Sequence, residues 1–96
     1  MSDDHSTKFG DAFKKFLKQE NLEQTFLEKK LISSWRGMMG ETIASRTLKI
    51  FIKEKIMYVT LSSAPLKQEL TNSKEKVLKI IEEEIGEGII ENVRFI

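Results

Sequence analysis

The sequence predicts an α+β domain in the order α–α–β–β–α(α)–β, with a three-stranded sheet and helices packed mainly on one of its faces. Three observations predict it. Apolar residues recur at helical spacing through residues 9–39 and again through residues 66–85. Strict alternation replaces that spacing over residues 46–62. Gly40, Pro65, Gly86 and Gly88 sit where one pattern gives way to the next. At 96 residues and 40% hydrophobic, the chain suits one core and argues against wholesale disorder.

Residues 1–6 are polar and aperiodic and read as a disordered tail. Phe9, Phe13, Phe16 and Leu17 predict an N-terminal helix over residues 7–20, flanked by Lys14, Lys15 and Lys18. Asn21 then reads as an N-cap with Gln24 as its capping-box partner. The second helix runs from Leu22 to about Met39. Its buried stripe is Leu22, Phe26, Leu27, Leu31, Trp35 and Met38 or Met39, and Gly40 terminates it. Trp35 is expected to be buried where this helix meets the sheet.

In the strand from Arg46 to Lys53, Leu48, Ile50 and Ile52 point inward, and Thr47, Lys49, Phe51 and Lys53 point outward. Glu54-Lys55 is a short turn, although it lacks the Asn-Gly or Asp-Gly of the strongest hairpin signals. The next strand, Ile56 to Ser62, sends Met57, Val59 and Leu61 one way and Ile56, Tyr58 and Thr60 the other, so the two strands form an antiparallel hairpin. Ser63 caps the following helix, and Pro65 suits its first turn. Leu66, Leu70, Val77, Ile81 and Ile85 line one side of it. Thr71-Asn72-Ser73 interrupts it, with Asn72 and Glu75 as a second start. Gly86 and Gly88 end it, and residues 89–96 form the last strand, with Val93 and Phe95 inward.

Catalysis finds little purchase here. The single histidine, His5, lies in the tail, and with no cysteine there is no metal constellation and no disulfide. Ser62 and Ser63 have no base nearby in sequence, and capping accounts for them. Glu82-Glu83-Glu84 occupy consecutive helical positions that point in different directions. The chain is therefore expected to be no enzyme and to need no cofactor. No apolar run approaches the ~20 residues of a membrane span. Acids stand where a signal peptide needs basic and then apolar residues, so a cytoplasmic location is expected. Gly37-Met38-Met39-Gly40 has the G-x-x-G form that clamps nucleic acid in KH domains, but between a helix and the first strand a helix terminus explains it.

Net charge is +1, yet it is unevenly spread: residues 41–81 carry eight basic and four acidic residues, and residues 82–96 carry five acids and Arg94. The outward positions of the sheet interleave cations with rings: Lys49, Phe51 and Lys53 on one strand, Tyr58 on the next, and Arg94 from the last. Rings that stack bases beside cations that meet phosphates are the physical recipe for holding a single strand. Lys49, Lys53, Lys67 and Arg94 are the candidate phosphate contacts, and Phe51 or Tyr58 the candidate stacking plane. The competing class is a protein-interaction or homodimerisation module with no nucleic-acid role.

A set of ordered stretches carries a family resemblance. Trp35 is followed five residues later by Gly40, then by Ile43-Ala44-Ser45-Arg46-Thr47 and by Lys55-Ile56-Met57-Tyr58-Val59. The run from Leu61 through Ser62-Ser63-Ala64-Pro65 to Leu70 follows, and Val93-Arg94-Phe95 closes the set. In these stretches residues 31–96 resemble the DciA family, bacterial proteins associated with the replicative helicase. The resemblance implies a KH-like domain over residues 21–96, association with single-stranded DNA, loading or stimulation of the replicative helicase, and no catalytic residues; RNA stays open as an alternative strand. It also implies a short form that ends without the C-terminal tail of many members.

Overall fold

A computed structural model describes residues 22–96. The expected tail over residues 1–6, the helix over residues 7–20 and the Asn21 cap lie outside the described residues. The described chain is α+β, in the order α1 (Leu22–Met39), α2 (Glu41–Ser45), β1 (Thr47–Lys53), β2 (Ile56–Leu61), α3 (Ala64–Asn72), α4 (Lys74–Glu84) and β3 (Asn92–Phe95). The five-residue α2 was not foreseen. Gly40 makes it possible: its φ of +89° turns the chain out of α1, and its carbonyl then accepts from the Ala44 N–H to open α2. Because Met38 and Met39 remain helical, the G-x-x-G string offers no free loop for a ligand.

The sheet order is β1-β2-β3, antiparallel between β1 and β2 and parallel between β2 and β3. A parallel neighbour needs a long crossover, and α3 with α4 supplies it. Met57, Val59 and Leu61 of β2 and Val93 and Phe95 of β3 are buried on the inner face, against Leu31 and Trp35 of α1, Leu70 of α3, and Val77 and Ile81 of α4. The helical stripe expected from Leu66 to Ile85 is thus the one that meets the sheet. The last strand is shorter than expected. Residues 85–91 form turns instead, with Gly86 and Gly88 at positive φ, and Gln24 Nε2 donates to the Ile89 carbonyl at 2.8 Å. Gln24 Nε2 also donates to Glu28 Oε2, one turn on in α1, at 2.7 Å.

Three expected orientations are corrected. Phe26 is exposed, so the buried stripe of α1 runs through Leu31 and Trp35 without it. Leu48 is 68% exposed because β1 carries a bulge. Thr47 pairs with Leu61, but Lys49 pairs with Thr60, which leaves Leu48 as the extra residue. The bulge reverses the alternation at its start and brings Thr47 inward. Thr47 Oγ1 accepts from Trp35 Nε1 at 3.0 Å and donates to the Ile43 carbonyl at 2.8 Å, which joins α1, β1 and α2 in one chain of hydrogen bonds.

The hairpin turn places both Glu54 and Lys55 at positive φ, 52° and 64°. That backbone suits the right-handed twist of the strands, but side chains with a Cβ adopt it at a penalty. Replacing Glu54-Lys55 by Asn-Gly should therefore raise unfolding free energy by ~1 kcal/mol. Urea denaturation with an unchanged m-value checks this, and no gain would mean the turn is unstrained.

Ser63 caps α3 as expected: its Oγ accepts from the Leu66 N–H at 3.3 Å, and Pro65 sits in the first turn. Ser63→Ala should lower stability by ~0.5–2 kcal/mol, read as a lower urea midpoint. A variant that unfolds with the parent would mean that this long hydrogen bond adds nothing. The helix after the hairpin is split, with Ser73 between α3 and α4, and Asn72 takes a hydrogen bond from Gln68 rather than opening the second helix.

Candidate nucleic-acid interface

Downstream of the bulge, alternation sends every second side chain of the hairpin away from the core, and register decides which of them meet. Lys49 lies opposite Thr60, Phe51 opposite Tyr58, and Lys53 opposite Ile56. The parallel pairing of β3 sets Arg94 beside Tyr58 and Asn92 beside Ile56. The outer face is thus a grid whose middle row reads Phe51, Tyr58, Arg94. Lys49 and Lys53 stand two residues to either side of Phe51, each roughly 7 Å along the strand.

The two rings stack on each other, with centroids 4.7 Å apart and planes 12° from parallel. Lys49 Nζ lies over the Phe51 ring, 5.4 Å from its centroid, within reach of a cation–π interaction. Phe51 remains 38% exposed, and Lys49, Lys53 and Arg94 are all exposed. Among the described residues no carboxylate pairs with any of these three cations. Arg36, in contrast, is held by Glu41, which raises its pKa above the ordinary arginine value through a hydrogen bond and charge attraction. The sheet face therefore presents three positive charges around an aromatic pair, none of them paired among the described residues.

This geometry refines what the rings can do. A base inserted between them would need two van der Waals spacings, roughly 7 Å, and the pair leaves less. A base can instead stack on an outward ring face or lie against the ring edges. The pair works as one block, so Phe51 and Tyr58 are not alternatives.

Lys67 does not join this constellation. It is exposed on α3, whose buried Leu70 belongs to the core on the opposite face of the sheet. Ile56 and Thr60 lie on the outer face, where the period-two pattern placed them beside Tyr58, and Asn92 joins them from β3, a member that sequence reasoning missed. Among the described residues no group of three or more His, Cys, Asp or Glu side chains could hold a metal ion, and no helix is long and apolar enough to cross a membrane.

Comparison with protein-family models matches the chain to the model described as Dna[CI] antecedent, DciA, over residues 8–95. No curated protein and no solved structure matches the chain. The family match spans nearly the whole sequence and extends the resemblance toward the N-terminus: this chain belongs to the DciA family.

Proposed function

We propose that the chain is a non-catalytic adaptor that binds single-stranded DNA on the outer face of its sheet and acts with the replicative helicase when replication starts. Family membership supports the general role in helicase loading at initiation. The observation that carries the DNA reading is the stacked Phe51–Tyr58 pair bordered by Lys49, Lys53 and Arg94, cations with no carboxylate partner among the described residues. A single strand offers both of its surfaces at once: phosphates to the cations and base faces or edges to the rings. With a net charge of only +1, attraction comes from this local patch and not from the chain as a whole. The site needs no catalytic group or cofactor, and the bacterial cytoplasm is the compartment where such a partner is found.

The test is a titration of labelled single-stranded DNA at two salt concentrations. Phosphate contacts release counterions, so affinity should fall steeply as salt rises. Lys53→Ala should flatten the slope of log affinity against log salt by about 0.7, the value for one contact on a single strand. Single-stranded RNA of the same sequence forms the second arm: equal affinity assigns recognition to phosphates and bases rather than to the sugar. A parent protein that fails to bind at low salt would instead favour a protein-interaction or homodimer module. Helicase contact is tested separately, by whether the full chain increases helicase bound to DNA.

A further inference from the structure

The sheet order leaves β1 paired with β2 on one side only, so its other side is an edge. Register fixes which backbone groups are left over there. The Val59 carbonyl and the Leu61 N–H both bond to Ile96, so Met57, Val59 and Leu61 turn their backbone groups toward β3. Ile56, Tyr58 and Thr60 therefore turn theirs toward β1, where they meet Lys53, Phe51 and Lys49. The N–H and C=O groups of Ile50 and Ile52 point the other way, to the open edge. Among the described residues none of these groups has a partner.

Apolar surface gathers at the same edge. A lone exposed leucine is ordinary. Here Ile32, Leu48 and Phe51, three of the five large exposed apolar side chains among the described residues, border β1. Ile32 and Leu48 line an open groove between α1 and β1, and Phe51 stands on the outer face. We propose that this edge pairs with the same edge of a second copy, β1 antiparallel to β1, in a closed two-fold dimer whose six strands form one sheet.

Charge and hydrogen bonding select the register. Edge-facing groups must meet edge-facing groups, so the two-fold axis passes through a residue of β1. An axis at Phe51 sets Lys49 against the second copy's Lys53, and an axis at Lys49 sets two copies of Lys49 together. Like charges directly opposite each other are unfavourable in both. An axis at Ile52 runs the pairing into the Glu54-Lys55 turn. The axis at Ile50 avoids all of this. It bonds Ile50 to the second copy's Ile50, sets Leu48 against its Ile52, and brings Lys49 opposite the exposed ring of its Phe51, an arrangement open to a cation–π contact.

Helix α1 leaves room for this pairing. Its Trp35 end is tied to Thr47 and its Gln24 end to the Ile89 carbonyl in the loop before β3, so it crosses the inner face diagonally, away from β1. Thr47 lies three residues from the axis, which puts the two copies of Thr47 about 20 Å apart. The two helices then run back from the axis in opposite directions. A two-fold axis between antiparallel edge strands stands normal to the sheet, so the dimer carries both Phe51–Tyr58 pairs on one surface. This inference does not rest on the nucleic-acid reading and is tested without nucleic acid.

Sedimentation velocity of the full chain over a wide concentration range is the test. The paired edge is small beside a standard interface, so dimer should grow in at high protein concentration. Ile50→Pro removes an edge N–H and leaves the β2 ladder its bonds, the one setting in which a strand tolerates proline, and should make the protein monomeric. Trp35 emission shows whether this variant is folded. Phe51→Lys and Phe51→Glu test the register independently. Position 51 faces the second copy's Lys49 twice in each dimer, so the Lys variant should dimerise about tenfold more weakly than the Glu variant. A parent that stays monomeric up to its solubility limit overturns the proposal, and so does a folded Ile50→Pro that still dimerises. Should Ile50→Pro unfold, the Phe51 variants decide alone, and equal dimerisation of the two overturns it.

Discussion

Trp35→Ala is expected to lower the unfolding free energy by ~3–5 kcal/mol, the range for deleting a large buried aromatic side chain. Trp35 is only 3% exposed and packs beside Leu31, which is fully buried. Its indole N–H is also the donor to Thr47 Oγ1, the hydroxyl that links α1 through β1 to the Ile43 carbonyl of α2. The substitution therefore opens a cavity and removes a tertiary hydrogen bond together. Trp35→Phe separates the two effects. It keeps much of the apolar volume and loses the donor, while Thr47 keeps Ile43 as a partner, so the loss should be clearly smaller. A domain of this size has about 5–15 kcal/mol of stability in total, and the alanine variant should sit close to unfolding. Circular dichroism in urea is the measurement, because the substitution removes the only indole. A loss of under ~1 kcal/mol for Trp35→Ala would mean that the indole is not a core residue.

What the sequence made legible is what short-range chemistry decides. The Ser63 cap and Pro65 mark the start of α3 because both act within one turn. The two-residue turn at Glu54-Lys55 sets the hairpin register, so Phe51 opposite Tyr58 followed from counting outward from it. The misses have physical reasons. Phe26 precedes Leu31 by five residues, roughly 140° round the helix, and its apolar character hid an outward angle. The bulge at Leu48 has no marker of its own: Thr47 to Lys53 alternates without interruption, and no glycine flags the extra residue. Its cause is tertiary, since it brings Thr47 under the Trp35 indole. The short α2 depends on the positive φ of Gly40, which in sequence reads equally well as a plain helix stop.

The candidate interface shows the same division. Lys49, Phe51, Lys53 and Tyr58 share a face by alternation alone. Arg94 reaches that face beside Tyr58 only because β3 pairs with β2 in parallel, and that depends on the crossover through α3 and α4. Lys67 stays apart for the complementary reason. A cation on a helix is legible as exposed, but the side of the sheet it occupies depends on where the helix packs. The groove at Leu48 was illegible altogether, because it exists only where the bulge and α1 meet.

Replacing Phe51 or Tyr58 should weaken binding of single-stranded DNA by ~1–3 kcal/mol each, the usual worth of a base stacked on a protein ring. The slope of affinity against salt should stay that of the parent, because no phosphate contact is lost. Lysine variants should do the reverse, flattening the slope with a smaller loss at low salt. The two rings stack on each other at 4.7 Å, so the effects should not add. Removing Phe51 frees Tyr58 from the pair and lets Lys49 leave its place over the missing ring, so the double variant should lose less than the sum of the singles. Leucine is the better replacement on this face, since it keeps apolar bulk in the strand while removing the π-surface. Phe51 is already 38% exposed, so the variants should remain folded, and urea midpoints near the parent's would show it. Strictly additive losses would mean that the rings contact the strand separately. Parent-like affinity in both leucine variants, with the salt slope intact, would remove stacking from the mechanism and leave binding to Lys49, Lys53 and Arg94 alone.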